Sequence, residues 1–206
     1  MGFLQNTRKP IGFAGKLVVK MMNMGHGQMA KWAFSQIQTT TDKKVLDVGC
    51  GGGANIANWL EKCPQAKIYG VDYSEVSVQA SQKHNKQAIS ENRCLVSQGD
   101  VLALPFENEH FHYVSAFETV YFWNPIQKAF GEVFRVLEKG GYFVICNEVS
   151  TRSKKNLKWE DKISGMKIFE ADELSNLLIQ AGFENIKIHR EEKKGYLCII
   201  AKKPLQ

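Results

Sequence analysis

The chain has 206 residues, of which 44% are hydrophobic, and this is enough to bury the core of one domain of ordinary size. No apolar run approaches the ~20 residues of a membrane span, so we expect a cytoplasmic protein without a membrane partner. The 27 basic and 21 acidic residues give a net charge of +6. That excess would suit an anionic substrate or nucleic acid, but it is also typical of a solvated basic surface.

Five cysteines are scattered along the chain without a CxxC or a Cys/His spacing. They are Cys50, Cys63, Cys94, Cys146 and Cys198. An odd and scattered set predicts neither a disulfide framework nor a zinc site. We therefore expect reduced thiols, mostly buried, and no metal centre.

The N-terminal region predicts one or two helices over residues 13–38. Apolar residues fall on two helical stripes, one with Phe13, Leu17, Met21 and Met24 and the other with Met29, Trp32, Ala33 and Ile37. Glycines at positions 25 and 27 flank His26, so we expect a flexible corner that presents the imidazole.

After residue 43, apolar strand-like runs alternate with helical periodicity, which is typical of βαβ units around a parallel sheet. The runs are KVLDV (44–48), KIYGVD (67–72), CLVSQGD (94–100), FHYVSAF (111–117) and YFVICNE (142–148). Before the last run, periodic apolar residues predict a helix over 124–139, ended by Gly140 and Gly141.

The C-terminal region breaks this alternation. A helix is predicted at about 171–181, followed by two strands at 184–190 and 195–202. Strands joined so closely must pair antiparallel, because a parallel return needs a crossover of a dozen or more residues. Residues 151–168 are polar and basic without a firm period, and we assign them no element.

The stretch VLDVGCGGGAN (45–55) places a glycine-rich turn after the first strand, where a doubly wound sheet binds its ligand. Gly49-x-Gly51-x-x-Ala54 also satisfies the loose dinucleotide pattern, and Asp72 could accept hydrogen bonds from ribose hydroxyls in either case. The turn alone therefore leaves NAD and other nucleoside cofactors open.

Two acidic residues favour a cationic nucleoside over NAD. Asp47 lies two residues before the first glycine, where its charge would repel a pyrophosphate but attract an ammonium or a sulfonium. Asp100 ends the third strand and could accept from an adenine amine, with Val101 and Leu102 as apolar contacts. The antiparallel ending also differs from that of common dinucleotide domains.

With these motifs in this order, the chain resembles the class I S-adenosylmethionine-dependent methyltransferases. VLDVGCGGG is similar to their first motif, GVDYS to the acidic ribose motif, QGDVLALPF to the adenine motif and LEKGGYFVICNE to the turn and fifth strand. The resemblance covers about residues 40–206. It implies an α/β, Rossmann-like, doubly wound sheet of seven strands, mostly parallel, with an antiparallel C-terminal strand.

The resemblance also implies a single methyltransferase domain over residues 1–206. Its parts are a helical N-terminal lid (1–42), a cofactor-binding core (43–150) and a C-terminal helix with the antiparallel hairpin (151–206).

By similarity, the glycine loop approaches the methionine part of the cofactor, Asp47 acts on its ammonium, Asp72 holds the ribose and Tyr73 covers the adenine. The cofactor-binding residues that the resemblance implies are Asp47, Gly49, Cys50, Gly51, Asp72, Tyr73, Ser74, Gly99, Asp100, Val101 and Phe117. The cofactor itself is S-adenosyl-L-methionine.

The catalytic candidates come from two places. Glu118 and Tyr121 follow the fourth strand, in AFETVYFWNP (116–125), and His26 lies in the expected lid. Glu118 could act as a base or orient the substrate, while Tyr121 would join an aromatic wall with Phe122 and Trp123. For those two aromatic residues, packing against the next helix is the alternative. His26 has a suitable pKa for a base but fits cofactor contact better.

The favoured function is methyl transfer to a small molecule, in the style of the quinone-biosynthesis and natural-product branches. The alternatives are an RNA- or DNA-modifying methyltransferase, a non-catalytic adenosylmethionine-binding protein and a dinucleotide-dependent oxidoreductase. A nucleic-acid substrate is not expected, because ETVYFW replaces the Asn/Asp-Pro-Pro-aromatic motif of base-methylating enzymes. The sequence leaves monomer and homodimer open.

Overall fold

The computed structural model describes residues 10–39 and 43–206, without the side chains of residues 13, 14, 16, 20 and 22–24. Residues 1–9 and 40–42 of the expected lid therefore lie outside the described residues, as do the side chains of Phe13 and Met24. Within the described part of the chain, no helix is long and apolar enough to cross a membrane.

Eight helices and seven strands follow one another in the described residues. The helices are α1 (Gly12–Gly25), α2 (Gly27–Gln36), α3 (Ala54–Lys62), α4 (Glu75–His84), α5 (Lys86–Ser90), α6 (Ile126–Val136), α7 (Lys154–Lys162) and α8 (Ala171–Gln180). The strands are β1 (Lys44–Val48), β2 (Lys67–Asp72), β3 (Cys94–Gln98), β4 (Phe111–Phe117), β5 (Leu137–Asn147), β6 (Glu184–Glu191) and β7 (Tyr196–Lys202). A short 3-10 turn covers Val120–Phe122.

The seven strands form one sheet in the order β3-β2-β1-β4-β5-β7-β6. The first five strands in this order are parallel, and β7 pairs antiparallel with both β5 and β6. This confirms the predicted fold and its C-terminal hairpin. Because the chain leaves β1 toward β3 and later returns to β4 on the other side, the crevice at the ends of β1 and β4 is the topological switch point.

Successive residues of the strands point to opposite faces of the sheet, and each face has its own core. Val45 packs with α2 and α3 residues such as Phe34 and Trp59, whereas Leu46 belongs to the core that includes Phe130 of α6. The five cysteines are free and buried, as expected.

The helix predicted over 124–139 is shorter than expected. It begins at Ile126 and ends at Val136, and β5 starts directly at Leu137, so that Gly140 and Gly141 lie inside a strand. Leu137 is buried and pairs with Phe111 of β4. An apolar residue at that position satisfies both a helical stripe and a buried strand, and periodicity could not separate the two.

Residues 151–168, to which no element was assigned, contain α7. Ser153 caps this helix, since its hydroxyl accepts a hydrogen bond from the Asn156 N–H at 3.3 Å. None of the helix residues is buried. The helix therefore lacks the apolar stripe by which a sequence reveals a helix, and only its cap marks it.

Gly53 is expected to be required for stability. It has φ +81, and an added Cβ would lie 2.4 Å from both the Ser81 Oγ and the Asn85 Nδ2 and 2.9 Å from the Ser81 Cα. We expect Gly53→Ala to lower the free energy of unfolding in urea by roughly 2–4 kcal/mol, because strained backbone and overpacking add.

The matched control is Gly131 in the middle of α6, where an added Cβ would meet nothing within 4 Å. Gly131→Ala should raise the free energy of unfolding by about 0.5–1 kcal/mol, because alanine favours helix. Equal stability of the two variants would contradict the assigned role of Gly53.

Candidate active site

The glycine-rich loop between β1 and α3 is fastened to β2. The N–H groups of Gly49 and Cys50 both donate to the Val71 carbonyl, at 2.7 and 3.1 Å. Gly49 has φ +74, and a Cβ there would lie 2.4 Å from the Thr119 Cγ2, so only glycine fits. At Gly51, by contrast, nothing lies within 4 Å of an added Cβ, and the loop presents open backbone at that point.

Asp72, at the end of β2, is hydrogen-bonded to the glycine-rich loop. Its Oδ2 accepts a hydrogen bond from the Gly51 N–H at 2.9 Å, and its Oδ1 accepts one from the Ser74 N–H at 2.8 Å. The side chain is buried, and this burial raises the pKa of Asp72 above its usual value, while the two backbone donors act in the opposite direction. Each carboxylate oxygen has further acceptor capacity for a ligand hydroxyl.

The loop and the ends of β2, β3 and β4 surround a cavity of about 250 Å³, the donor cavity. It is lined by all but two of the expected cofactor-binding residues, namely Gly49, Cys50, Gly51, Asp72, Tyr73, Gly99, Asp100, Val101 and Phe117. His26 and Glu118 line it as well. The two exceptions are Asp47 and Ser74.

Asp47 lies beneath the donor cavity and not on its wall. It is 1% exposed, and the Ser115 hydroxyl donates to its Oδ1 at 2.7 Å. The Trp59 indole N–H in turn donates to the Ser115 Oγ at 3.0 Å. Burial raises the pKa of Asp47 to about 7, against the opposing effect of the Ser115 hydrogen bond. Asp47 does not line the donor cavity, and its expected action on a cofactor ammonium, directly or through water, stays a prediction.

Ser74 has a structural role and does not line the donor cavity, and its expected cofactor contact stays a prediction. Its Oγ accepts the Ser77 N–H at 3.3 Å and so caps α4. The same hydroxyl lies 2.7 Å from the carbonyl oxygen of Pro10, to which it donates. Because the side chain is occupied on both sides and buried, it ties the start of the N-terminal segment to the sheet.

Three titratable side chains meet next to the donor cavity, and we name them the acid–histidine cluster: His26, Glu118 and Glu148. His26 stands between α1 and α2, Glu118 follows β4 and Glu148 follows β5. The His26 Nδ1 lies 3.2 Å from the Glu148 Oε2 and 3.9 Å from the Glu118 Oε2. One candidate ligand atom from each residue lies within 4.8 Å of the others, so this group could also hold a metal ion.

Glu118 is held in an unusual backbone conformation, with φ +61. Such strain in a residue other than glycine is common at functional sites. Its Oε1 accepts hydrogen bonds from the Glu148 N–H and, at 3.2 Å, from the Tyr121 hydroxyl. Burial raises the pKa of Glu118 to about 7, against the lowering effect of the nearby His26. Contact with the Glu148 carboxylate raises the pKa of His26, against desolvation.

Tyr121 supports Glu118 and does not reach the donor cavity. Besides the contact with Glu118, its hydroxyl accepts the Val149 N–H at 3.0 Å and lies 3.0 Å from the Val149 carbonyl. Burial raises the pKa of this phenol well above its usual value. The hydroxyl is engaged by protein groups, which suits a positioning role, and Tyr121 lines the second cavity, so its expected catalytic role stays a prediction.

A second cavity of about 220 Å³, the apolar cavity, adjoins the first. The two share His26, Glu118 and Phe122. Its remaining lining residues are Tyr121, Glu148, Val149, Trp159, Ile163 and Met166. Residues 151–168 thus supply one wall of this cavity.

The sequence analysis did not single out Glu148, nor the residues of α7 and the segment after it that line the apolar cavity. Glu148 ends the run YFVICNE, so the rule that ligands meet the carboxyl ends of parallel strands could have found it. Trp159, Ile163 and Met166 carried no comparable signal, because their segment lacked a predicted element to place them.

Comparison with known proteins agrees with this geometry. The family described as "Methyltransferase domain" matches residues 39–196, which is most of the chain. The chain belongs to the methyltransferase domain family. Membership implies S-adenosylmethionine as the methyl donor.

Curated relatives of the domain are named for methylation of small molecules. The 24-methylenesterol C-methyltransferase 2 of Oryza sativa subsp. japonica is 29% identical over 73% of this chain and 44% of its own length. The erythromycin 3''-O-methyltransferase of Saccharopolyspora erythraea is 33% identical over 50% of this chain and 33% of its own length. The chain thus spans less than half the length of these two relatives.

Among solved structures, a putative methyltransferase of Haloferax volcanii, in complex with the Trm112 methyltransferase activator, superimposes with a TM-score of 0.85. It is 18% identical, and the match covers 93% of this chain and 95% of that one. At this identity the likeness concerns the fold.

The donor cavity has the chemistry that adenosylmethionine requires. Asp72 offers carboxylate oxygens to a pair of ribose hydroxyls, and Val101 with Asp100 offers an apolar contact beside an acceptor for an adenine. Open backbone at Gly51 leaves room for the amino-acid part. The buried charge of Asp47 complements an ammonium or a sulfonium above it.

Asp72→Asn tests the donor site. An amide cannot accept from two backbone N–H groups and a ribose as a carboxylate does, so we expect the dissociation constant for adenosylmethionine to rise roughly 10–100-fold. Isothermal titration measures this directly. Asp172→Asn, on the exposed face of α8, is the matched control and should bind as the unaltered chain does. Equal affinity of both variants would remove Asp72 from the donor site.

The variant Asp47→Asn tests whether Asp47 affects the stability of the fold in a pH-dependent way and whether it affects donor binding. In the unfolded chain an aspartate titrates near its usual pKa of about 4, whereas the folded value is about 7. The folded state therefore holds the proton more tightly, and stability is lost as pH rises from about 4 through 7. The asparagine variant has no group that ionises at this position. The difference in free energy of unfolding between Asp47→Asn and the unaltered chain should therefore shift in favour of the variant by roughly 1–4 kcal/mol as pH rises across that window.

Urea unfolding of both proteins at pH 5 and pH 8 measures the difference. Asp161→Asn, at an exposed position of α7, serves as control. We also expect weaker adenosylmethionine binding by Asp47→Asn at pH 8. If the difference in free energy of unfolding between the two proteins did not change with pH, folding would not raise the pKa of Asp47.

Proposed function

We propose that this chain transfers a methyl group from S-adenosylmethionine to a small acceptor with a largely apolar body. The observation that carries the proposal is the meeting of two cavities at Glu118. One has the polar anchors of a nucleoside site, and the other is lined mainly by apolar side chains. A donor and an acceptor in these cavities would meet beside a carboxylate.

On the donor side, Asp72 would hold the ribose, and Tyr73, Asp100 and Val101 would surround the adenine. Phe117 closes this part of the donor cavity and is itself fixed by stacking on Phe34 of α2, with ring centroids 5.3 Å apart. When bound, the donor supplies an electrophilic methyl group on a sulfonium, and its transfer needs an in-line nucleophile and exclusion of water.

On the acceptor side, the aromatic and aliphatic wall of the apolar cavity would bind the body of the substrate. Trp159, Ile163 and Met166 come from α7 and the segment after it, and Phe122 separates them from the donor cavity. Apolar burial would orient the acceptor with its reacting end toward the acid–histidine cluster. Such a wall also excludes water from the transfer.

Glu118 is the proposed general base. A carboxyl group with a pKa of about 7 can accept a proton near neutral pH and release it afterwards. As the acceptor atom forms its bond to the methyl carbon, the bond from that carbon to the donor sulfur would break and leave S-adenosylhomocysteine, and the proton on the acceptor atom would pass to the Glu118 carboxylate. Tyr121 fixes the orientation of this carboxylate through its hydroxyl, and the His26 Nδ1 lies 3.2 Å from the Glu148 carboxylate, which raises the pKa of His26.

The acceptor class rests on the apolar cavity together with the relatives named for a sterol and for erythromycin. A quinone precursor fits the same description and stays a prediction. Nucleic acid is disfavoured, because the acceptor side is a cavity with apolar walls and base methylation needs an extruded base read by polar contacts. The non-catalytic alternative predicts donor binding without transfer.

Binding and transfer are tested separately. Isothermal titration should give micromolar affinity for adenosylmethionine and its demethylated product and none for NAD. The chain is then incubated with methyl-labelled donor and a panel of phenols, lipophilic amines and isoprenoid alkenes, and the label is followed into the organic phase. Donor binding with no labelled product from any acceptor would favour the non-catalytic alternative, and NAD binding alone would overturn the proposal.

Glu118→Gln should abolish most of the transfer and spare donor binding. Loss of a general base lowers kcat by about 10²–10⁴-fold. In the unaltered chain, kcat should rise about tenfold per pH unit below about 7 and level above it, because only the ionised carboxylate accepts the proton. The glutamine variant should lose this dependence.

Glu61→Gln, at an exposed position of α3, is the matched control and should keep both rate and pH profile. An unchanged kcat with the same rising profile in Glu118→Gln would exclude Glu118 as the base.

A further inference from the structure

The solvent face of α7 carries a concentration of positive charge that neither cavity uses. Successive residues of an α-helix are rotated by about 100°, which places Lys154, Lys155, Lys158 and Lys162 within one arc of about 100°. All four side chains are exposed, and none lines the donor cavity or the apolar cavity. A ligand inside either cavity therefore does not explain them.

Lys154, Lys155 and Lys158 take part in no ion pair among the described residues, although the exposed Asp161 borders the arc. Among the described residues, the ion pairs nearest to the helix join Arg152 to Glu160 and Lys167 to Glu173. Neither pair uses Lys154, Lys155 or Lys158. The arc is thus available to an anionic surface outside the protein.

Trp159 borders this arc and connects it to the apolar cavity. The side chain is 40% exposed although it also lines the cavity, and the Lys162 amine lies 5.6 Å from its ring centroid. A half-exposed tryptophan beside lysines is a composition found at the headgroup level of bilayers with anionic lipids, where the indole lies at the interface and the lysines contact the headgroups. Contact of this kind requires no membrane-spanning segment.

We propose that α7 docks the protein on the surface of a membrane that contains anionic lipids, with Lys154, Lys155 and Lys158 against the headgroups and Trp159 at the interface. An apolar acceptor dissolved in that membrane would then face the mouth of the apolar cavity. The docking itself needs neither donor nor acceptor, so its test is independent of the proposed methyl transfer.

A membrane is favoured over nucleic acid by the position of Trp159. A lysine arc alone would bind either polyanion. Trp159, however, lines a cavity whose walls are mainly apolar. A lipid phase would extend that apolar surface beyond the protein, whereas a nucleic acid would not.

The test is co-sedimentation of the full chain with vesicles of phosphatidylcholine alone and of phosphatidylcholine mixed with phosphatidylglycerol. We expect binding to the anionic vesicles only, weakening as salt is raised. The combined variant Lys154→Gln, Lys155→Gln, Lys158→Gln should lower the partition coefficient at least about tenfold, since each lysine near such a surface contributes measurably. A matched variant, Lys83→Gln, Lys86→Gln, Lys128→Gln, changes the net charge equally and should bind nearly as the unaltered chain does.

Fluorescence gives a second readout. The emission of Trp159, taken as the difference between the full chain and Trp159→Phe, should shift to shorter wavelength on anionic vesicles. Equal loss in both lysine variants, or no binding to anionic vesicles, would overturn the proposal. So would binding of single-stranded RNA that depends on the α7 lysines in the absence of vesicle binding, which would assign the arc to nucleic acid.

Discussion

The carboxylate of Asp72 is the contact on which the geometry of the donor cavity depends. It binds the N–H of Gly51 in the loop after β1 and the N–H of Ser74 at the start of α4. Ser74 in turn holds the carbonyl of Pro10. One buried side chain thus fixes the glycine loop, the end of β2 and the N-terminal segment relative to one another. The same side chain lines the donor cavity, so the group that holds the scaffold together is also the one proposed to hold the ribose.

Three largely buried acidic side chains, Asp47, Asp72 and Glu118, lie near the ends of neighbouring strands. Burial makes the ionised form of each carboxyl group unfavourable. Desolvation raises the pKa of Asp47 and Glu118 to about 7 and that of Asp72 above its usual value. A positively charged ligand relieves this cost, and a pyrophosphate would increase it. His26 lies beside Glu118 and Glu148, and its proximity lowers the pKa of Glu118. The same buried acids thus enter both the stability of the fold and the proposed choice of ligand.

The sequence predicted most of the fold and most of the residues that line the donor cavity, because both follow from local patterns. Strand alternation, the glycine turn and the closely spaced final strands each allow few structures. The prediction was wrong where one residue satisfies two patterns, as Leu137 does. Ser74 and Tyr121 lie in the expected motifs, but their hydroxyls bond to backbone groups of the protein, and a motif does not reveal such hydrogen bonds.

The acceptor side is harder to predict for a physical reason. Every adenosylmethionine site must bind the same charges and hydroxyls, so the residues that do so recur in recognisable order. The apolar cavity instead depends on shape, and Trp159, Ile163 and Met166 come from a segment without a periodic core stripe. Because no residue of α7 is buried, core packing places few constraints on which side chains this helix carries.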